Sequence, residues 1–254
     1  MLILYLIFIA FLFLALYFRI FLFLFPKNRL IILMYHQIAE KSTEDLTVSV
    51  KNLEEQFKYV SKKKYTSKFF NELHTPSKRS IIITFDDGYK NNEVYLPALL
   101  EKYKLKATIF IPTEFIQKGY KDNEMMTFED IRNLNRDYFE IALHSHSHQN
   151  FRNVSADFIE NDLQKNMQIL DNENIQYSKV LAYPYGKYPK KNPEKAGVFS
   201  VLQRLGILYA VRIGNKINYF SSQNPYELCR IDIKGKDTLI HFKLKLIFGR
   251  LKMF

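Results

Sequence analysis

Seven short apolar runs recur along this chain, at Leu30–Tyr35, Ile81–Phe85, Ala107–Ile111, Phe139–Leu143, Lys179–Tyr183, Ile207–Arg212 and Cys229–Ile233. Each is of strand length and rich in β-branched or aromatic residues. Helical patterns lie between several of them, over Val50–Lys63, Asn92–Tyr103, Thr127–Asn135, Ala156–Asn172 and Pro193–Leu205. Thr127-Phe128-Glu129-Asp130 and Ser155-Ala156-Asp157-Phe158 resemble helix starts with acid in the first turn. This alternation predicts an α/β fold with a parallel sheet and right-handed crossovers. About seven strands in one domain can close into a barrel, and an open doubly wound sheet is the alternative. At 254 residues and 47% apolar content the chain can bury a substantial core and is too apolar for disorder.

The polar residues best able to do chemistry follow the strands. His36 follows the first, Asp86 and Asp87 the second, Pro112-Thr113 the third, His144 to His148 the fourth and Pro184-Tyr185-Gly186 the fifth. In barrel enzymes that end of the strands carries the active site. The sharpest signal is Ile81-Ile82-Ile83-Thr84-Phe85-Asp86-Asp87-Gly88-Tyr89, a buried strand that ends on two adjacent acids. Adjacent carboxylates repel, so a metal, a shared proton or a basic partner must compensate them. Three of the six histidines fall within His144-Ser145-His146-Ser147-His148. One carboxylate and two imidazoles form a common catalytic metal set with a position left for water. One helical turn would bring His144 and His148 to one face, whereas extended chain would align His146 with them. The reading takes His144 and His148 as ligands and leaves His146 aside. One aspartate would bind metal and the other would take a proton from the attacking water, but spacing does not say which. The bland alternatives are an Asp-Gly turn and a polar surface loop.

From Leu2 to Phe25 nearly every residue is apolar and Arg19 is the one charge. That predicts an uncleaved transmembrane anchor over residues 1–26, followed by a catalytic body over 27–254, with a cleaved signal peptide as the rival. Lys27 and Arg29 favour a cytoplasmic body, yet large following domains translocate largely regardless of charge, so orientation stays open. The formal charge of +11, from 37 basic against 26 acidic residues, suits a membrane surface or an acidic glycan. No nucleic-acid motif is present, and nucleic acid is not an expected partner. Cys229 is the sole cysteine, so no intrachain disulfide can form; its strand setting predicts a buried, inert thiol.

Thr84-Phe85-Asp86-Asp87-Gly88-Tyr89 and the His-Ser-x-x-His pattern at 144–148 resemble the first two motifs of the NodB-type polysaccharide deacetylases, carbohydrate esterase family four. Tyr183-Pro184-Tyr185-Gly186 resembles the third, and the likeness spans Leu30 to Ile233. The resemblance implies a distorted (β/α) barrel and metal-dependent removal of N-acetyl groups from amino sugars. It implies Asp86 as base, and Asp87, His144 and His148 on the metal, with zinc preferred over nickel or cobalt by ligand type. Tyr183, Pro184 and Tyr185 would form the substrate and oxyanion side, and Tyr35, Tyr183 and Tyr185 could stack on sugar rings. Two departures stand out. Ala182 occupies the place where many members carry an arginine that orients the base through an acidic partner, and no aspartate near Ala210 offers itself as that partner. Leu33-Met34-Tyr35-His36 resembles the opening strand of the poly-N-acetylglucosamine deacetylase branch, in which the barrel is circularly permuted and an early histidine is the general acid. His36 is therefore expected as the acid ahead of His241, which lies in the basic tail Leu239–Leu246. The implied substrate is an N-acetylated cell-surface glycan and the implied location of the body extracytoplasmic. The rival readings are a membrane-tethered glycan-binding pseudoenzyme and a deacetylase of a lipid-linked sugar.

Overall fold

The computed structural model describes residues 2–17, 29–42, 44–73, 79–219 and 224–249. Its centre is a ring of seven parallel strands: β1 (Arg29–Tyr35), β2 (Ser80–Asp86), β3 (Ala107–Ile111), β4 (Phe139–Leu143), β5 (Ser178–Ala182), β6 (Tyr209–Ile213) and β7 (Leu228–Asp232). Neighbours in the ring follow chain order. Closure comes at β1, which pairs with β2 from Leu30–Ser80 to Tyr35–Phe85 and with β7 at Leu33–Ile231 and Met34–Asp232. The barrel, rather than the open sheet, is the fold. It is distorted: the β1–β7 seam is short, a two-residue strand at Asn218–Tyr219 pairs antiparallel with the start of β1, and the β4–β5 register slips at Ala142/Leu143.

Helices cover the outside: α2 (Val50–Lys62), α3 (Lys90–Tyr103), α4 (Thr113–Lys118), α5 (Phe128–Asn133), α6 (Ala156–Asn172), α7 (Glu194–Arg204) and α8 (Leu239–Phe248), preceded by α1 (Leu2–Tyr17). Ser49, Thr127, Ser155 and Thr238 cap α2, α5, α6 and α8 by accepting a backbone N–H, which explains why those helices begin there. Two apolar clusters result from the alternation of side chains along each strand. Ile32, Ile82, Phe110, Ala142, Val180 and Val211 fill the barrel. Leu33, Ile83, Ile109, Ile141 and Leu181 face outward onto Leu53, Leu96, Leu163 and Val201 of the helices. Strands buried on both faces read as continuous apolar runs, and this made them visible in the sequence.

A short turn, Phe70–Glu72, plugs the amino-terminal foot of the barrel. Phe70 packs edge-on against Phe110, with ring centroids 6.0 Å apart. Glu140 locks the plug: its carboxylate accepts from the Phe70 N–H (3.1 Å), Thr108 Oγ1 (2.7 Å) and Ser178 Oγ (2.6 Å).

At the amino terminus α1 has 16 residues, a length of about 24 Å against the ~30 Å of a bilayer core. Among the described residues no helix is long and apolar enough to cross a membrane. Residues 18–26 of the expected anchor lie outside the described residues.

Candidate metal and catalytic centre

The carboxyl ends of β1, β2, β4 and β7 meet at the mouth of the barrel. Asp86 is the last residue of β2 and points inward with Ile82 and Thr84. In a regular strand Asp87 would then point the opposite way. Instead Asp87 and Gly88 both take φ of 75°, the left-handed region, so the chain turns back and Asp87 also faces the mouth. Gly88 is needed here, because a Cβ would meet Ile111 Cδ1 and Ile116 Cδ1 at 3.0 Å each.

His144 and His148 reach the same point by another route than the helical turn the spacing suggested. The segment is a loop with Ser145 and His148 at φ of 66° and 54°. Helix α6 holds it: Asp162 accepts the N–H of His146 (2.9 Å) and of Ser147 (3.0 Å). The His148 N–H donates to Ser145 Oγ (3.0 Å). His146 hydrogen-bonds Thr113 Oγ1 through Nδ1 (2.9 Å) and takes no part in the cluster. The rings of His144 and His148 meet edge-on with centroids 4.7 Å apart.

Asp87, His144 and His148 offer ligand atoms that all lie within 4.8 Å of one another. Asp87 Oδ1 sits 3.5 Å from Nε2 of each histidine. His144 Nδ1 donates to the Ala182 carbonyl (2.7 Å), and a carbonyl only accepts, so the proton is on Nδ1 and the Nε2 lone pair faces the cluster. Asp87 Oδ1 is buried with no hydrogen-bond partner among the described residues. Burial opposes ionisation of Asp87, but His144 and His36, when they carry a second proton, outweigh it and hold the carboxyl well below its usual range. Burial pushes His148 down to about 4, which keeps it neutral. One anionic oxygen and two imidazoles converging on one point suit a divalent cation.

Asp86 has a different partner, which the sequence reading missed. Arg230 projects from β7 and binds it in a bidentate fork, Nη1 to Oδ1 at 2.5 Å and Nη2 to Oδ2 at 2.7 Å. Arg230 also donates to Thr84 Oγ1 (3.2 Å) and lies over the Phe110 ring (5.4 Å). Burial would raise the Asp86 carboxyl, but Arg230, with His144 and His36, holds it low. The arginine absent at Ala182 is thus supplied from β7, without an acidic intermediary. The sequence signal was an arginine inside the strand Leu228-Cys229-Arg230-Ile231-Asp232, on the same parity as Leu228, which faces the barrel interior.

His36 follows β1, with Nε2 3.9 Å from Asp86 Oδ2 and a side chain 14% exposed. Its Nδ1 has no partner among the described residues. Asp232, at the end of β7, is partly buried with Oδ1 unpartnered, and burial raises its carboxyl. His241 is exposed on α8, where its backbone N–H donates to the capping Thr238 Oγ1 (3.3 Å). Of the aromatic candidates, Tyr35 and Tyr183 are fully buried. Tyr35 donates to Gln56 Oε1, and Tyr183 stacks on Tyr188 and donates to the Tyr226 carbonyl. Neither ring has a face for a sugar, and Pro184 is buried too. Tyr185 is 52% exposed, at φ of 57°, with its ring 4.7 Å from that of His148. Cys229 is a buried free thiol, as its strand setting predicted.

A family model described as polysaccharide deacetylase matches residues 74–204, just over half of the chain. The Bacillus subtilis (strain 168) protein YxkH is 28% identical over 66% of this chain, and the match spans 62% of that relative. A poly-beta-1,6-N-acetyl-D-glucosamine N-deacetylase of Staphylococcus aureus (strain MRSA252) is 24% identical over 82% of this chain and 79% of its own. Among solved structures, the Streptococcus pyogenes deacetylase PplD in complex with acetate superposes with a TM-score of 0.75 at 20% identity, covering 87% of this chain and 99% of that one. IcaB from Ammonifex degensii gives 0.72 at 16% identity, covering 87% and 97%. At these identities the structures show the shared fold.

Proposed function

The chain belongs to the polysaccharide deacetylase family, and from that we propose that it hydrolyses N-acetyl groups from amino sugars of a polysaccharide. The observation that carries the reading is the convergence of Asp87, His144 and His148 beside the Arg230-held Asp86. Asp87, His144 and His148 would hold a divalent cation, zinc before nickel or cobalt. Such a cation, when bound, polarises an acetyl carbonyl and makes water a better nucleophile. Asp86 is kept ionised by Arg230 and takes the proton of the attacking water. His36, beside Asp86 at the end of the neighbouring strand, protonates the departing sugar amine. The exposed Tyr185 ring offers a platform for a sugar, and a backbone N–H near Tyr185 would hold the developing oxyanion.

The glycan is of the poly-N-acetylglucosamine type or another cell-surface polymer, a reading supported by the Staphylococcus aureus relative. Membrane attachment through residues 1–26 is supported by the apolar side chains of Leu2 to Leu14, which are exposed and uncovered by the barrel. The body would then lie outside the cytoplasm with its substrate. Acetate release from N-acetylglucosamine oligomers, with and without chelator, tests the activity. No release with zinc present, alongside retained oligomer binding, would favour the pseudoenzyme. Parallel assays on a lipid-linked sugar separate the remaining alternative.

A further inference from the structure

Beside the mouth lies an open cleft of about 490 Å³ lined by Arg152, Val154, Pro189, Lys190, Lys191 and Glu194. Its size falls within the range of ligand sites. It is joined to the candidate centre by two short stretches of chain. Arg152 is four residues beyond His148, and Lys190 is five beyond Tyr185, so their Cα atoms lie within about 14 Å and 17 Å of those residues. Those distances are within reach of a short oligosaccharide bound at the centre.

The cleft is cationic, with three basic side chains against one carboxylate in its lining. The Lys190 ammonium sits 3.4 Å above the centroid of the Tyr188 ring. Desolvation, then Arg212, lower its pKa to about 8 against the opposing pull of Glu227. Arg212 Nε is buried with no acceptor among the described residues. Glu227, which acts on Lys190 from outside the lining, also accepts from Tyr188 Oη and pairs with the Lys195 ammonium (2.9 Å). Glu194 is the cleft's one lining carboxylate, against Arg152, Lys190 and Lys191.

Deacetylation leaves an ammonium where there was a neutral amide. A polymer made only of such sugars becomes more cationic at each turnover, and this wall repels it. A glycan with its own anions does not suffer that repulsion. We infer that the cleft is a subsite for an anionic substituent, a phosphoryl or carboxylate group carried by the glycan within a few sugars of the acetamide. This rests on the deacetylase reading and narrows its substrate class.

The test is calorimetric binding to the full chain of three N-acetylglucosamine oligosaccharides of equal length: neutral, phosphorylated and uronate-bearing. One or both charged probes should bind more tightly than the neutral one, and less so as salt rises. The double variant Arg152→Gln/Lys190→Gln should weaken the charged probe by roughly tenfold and leave the neutral one unchanged. Whichever anion gains more identifies the source. Equal affinity for all three probes, or a variant that binds the charged ones as well as wild type, overturns the inference. These side chains are exposed, and unchanged thermal unfolding of the variant checks that it folds. Binding is read without turnover; loss of acetate release with charge discrimination intact would count against the deacetylase reading and not the cleft.

Discussion

The two ends of the barrel bury the same kinds of group and treat them in opposite ways. At the foot, Glu140 accepts hydrogen bonds from Phe70, Thr108 and Ser178 and ties the plug to two strands. At the mouth, Asp87 Oδ1, His36 Nδ1, His148 Nδ1 and Asp232 Oδ1 are buried without hydrogen-bond partners among the described residues. Buried polar atoms are nearly always satisfied, so unsatisfied ones clustered at one end mark where a ligand belongs. The foot satisfies its own carboxylate, and the mouth gathers donor atoms that have no partner among the described residues.

Asp86→Asn should give the largest effect. It should retain metal and lose about 10²–10⁴-fold in kcat, the range for a general base, as measured by acetate release with metal analysis on the same sample. Near-normal turnover would remove Asp86 from that role. Arg230→Met comes next. It strands a buried carboxylate, which costs about 3–5 kcal/mol in denaturant unfolding. Asp86 is depressed in the folded state, so the pair stabilises the protein above the unfolded carboxyl pKa of about 3.9, and that stability is lost as pH falls through the depressed value. Without Arg230, burial dominates, and the acid limb of the rate profile should move to higher pH.

Glu140→Gln probes the foot. It should cost about 1–3 kcal/mol of stability while the folded fraction keeps its kcat and its metal. A rate loss without a stability loss would erase the contrast between the two ends. The smallest effect concerns pH. Burial lowers the pKa of His144, but Asp86 and Asp87 more than reverse this and raise it above the ordinary value of about 6.5. Protons should therefore begin to compete for the site above pH 6.5, and metal affinity, read by competition with a chelating dye, should decline from there downward. His148, held near 4, should add to the loss only in stronger acid.

What could be read from the sequence follows from what is periodic. Strands buried on both faces leave continuous apolar runs, so all seven were visible, as was closure as one of two options. Asp86, Asp87, His36 and the His144–His148 cluster were visible because polar residues at strand ends break those runs. Arg230 was not, since one arginine in an apolar strand looks like an edge until its partner across the barrel is known. The loop conformation was also hidden, because left-handed backbone at Ser145 and His148 has no glycine to announce it. Tyr183 looked available for a sugar, and the stacking of Tyr188 that buries it is a contact across the loop. The plug at Phe70 has no periodicity to reveal it.

Zinc content of purified protein after dialysis, compared between wild type and Asp87→Ala, tests the central claim most directly. The account predicts about one ion per wild-type chain and loss of it in the variant. Equal zinc in both proteins, or none in either at ample zinc, would contradict it.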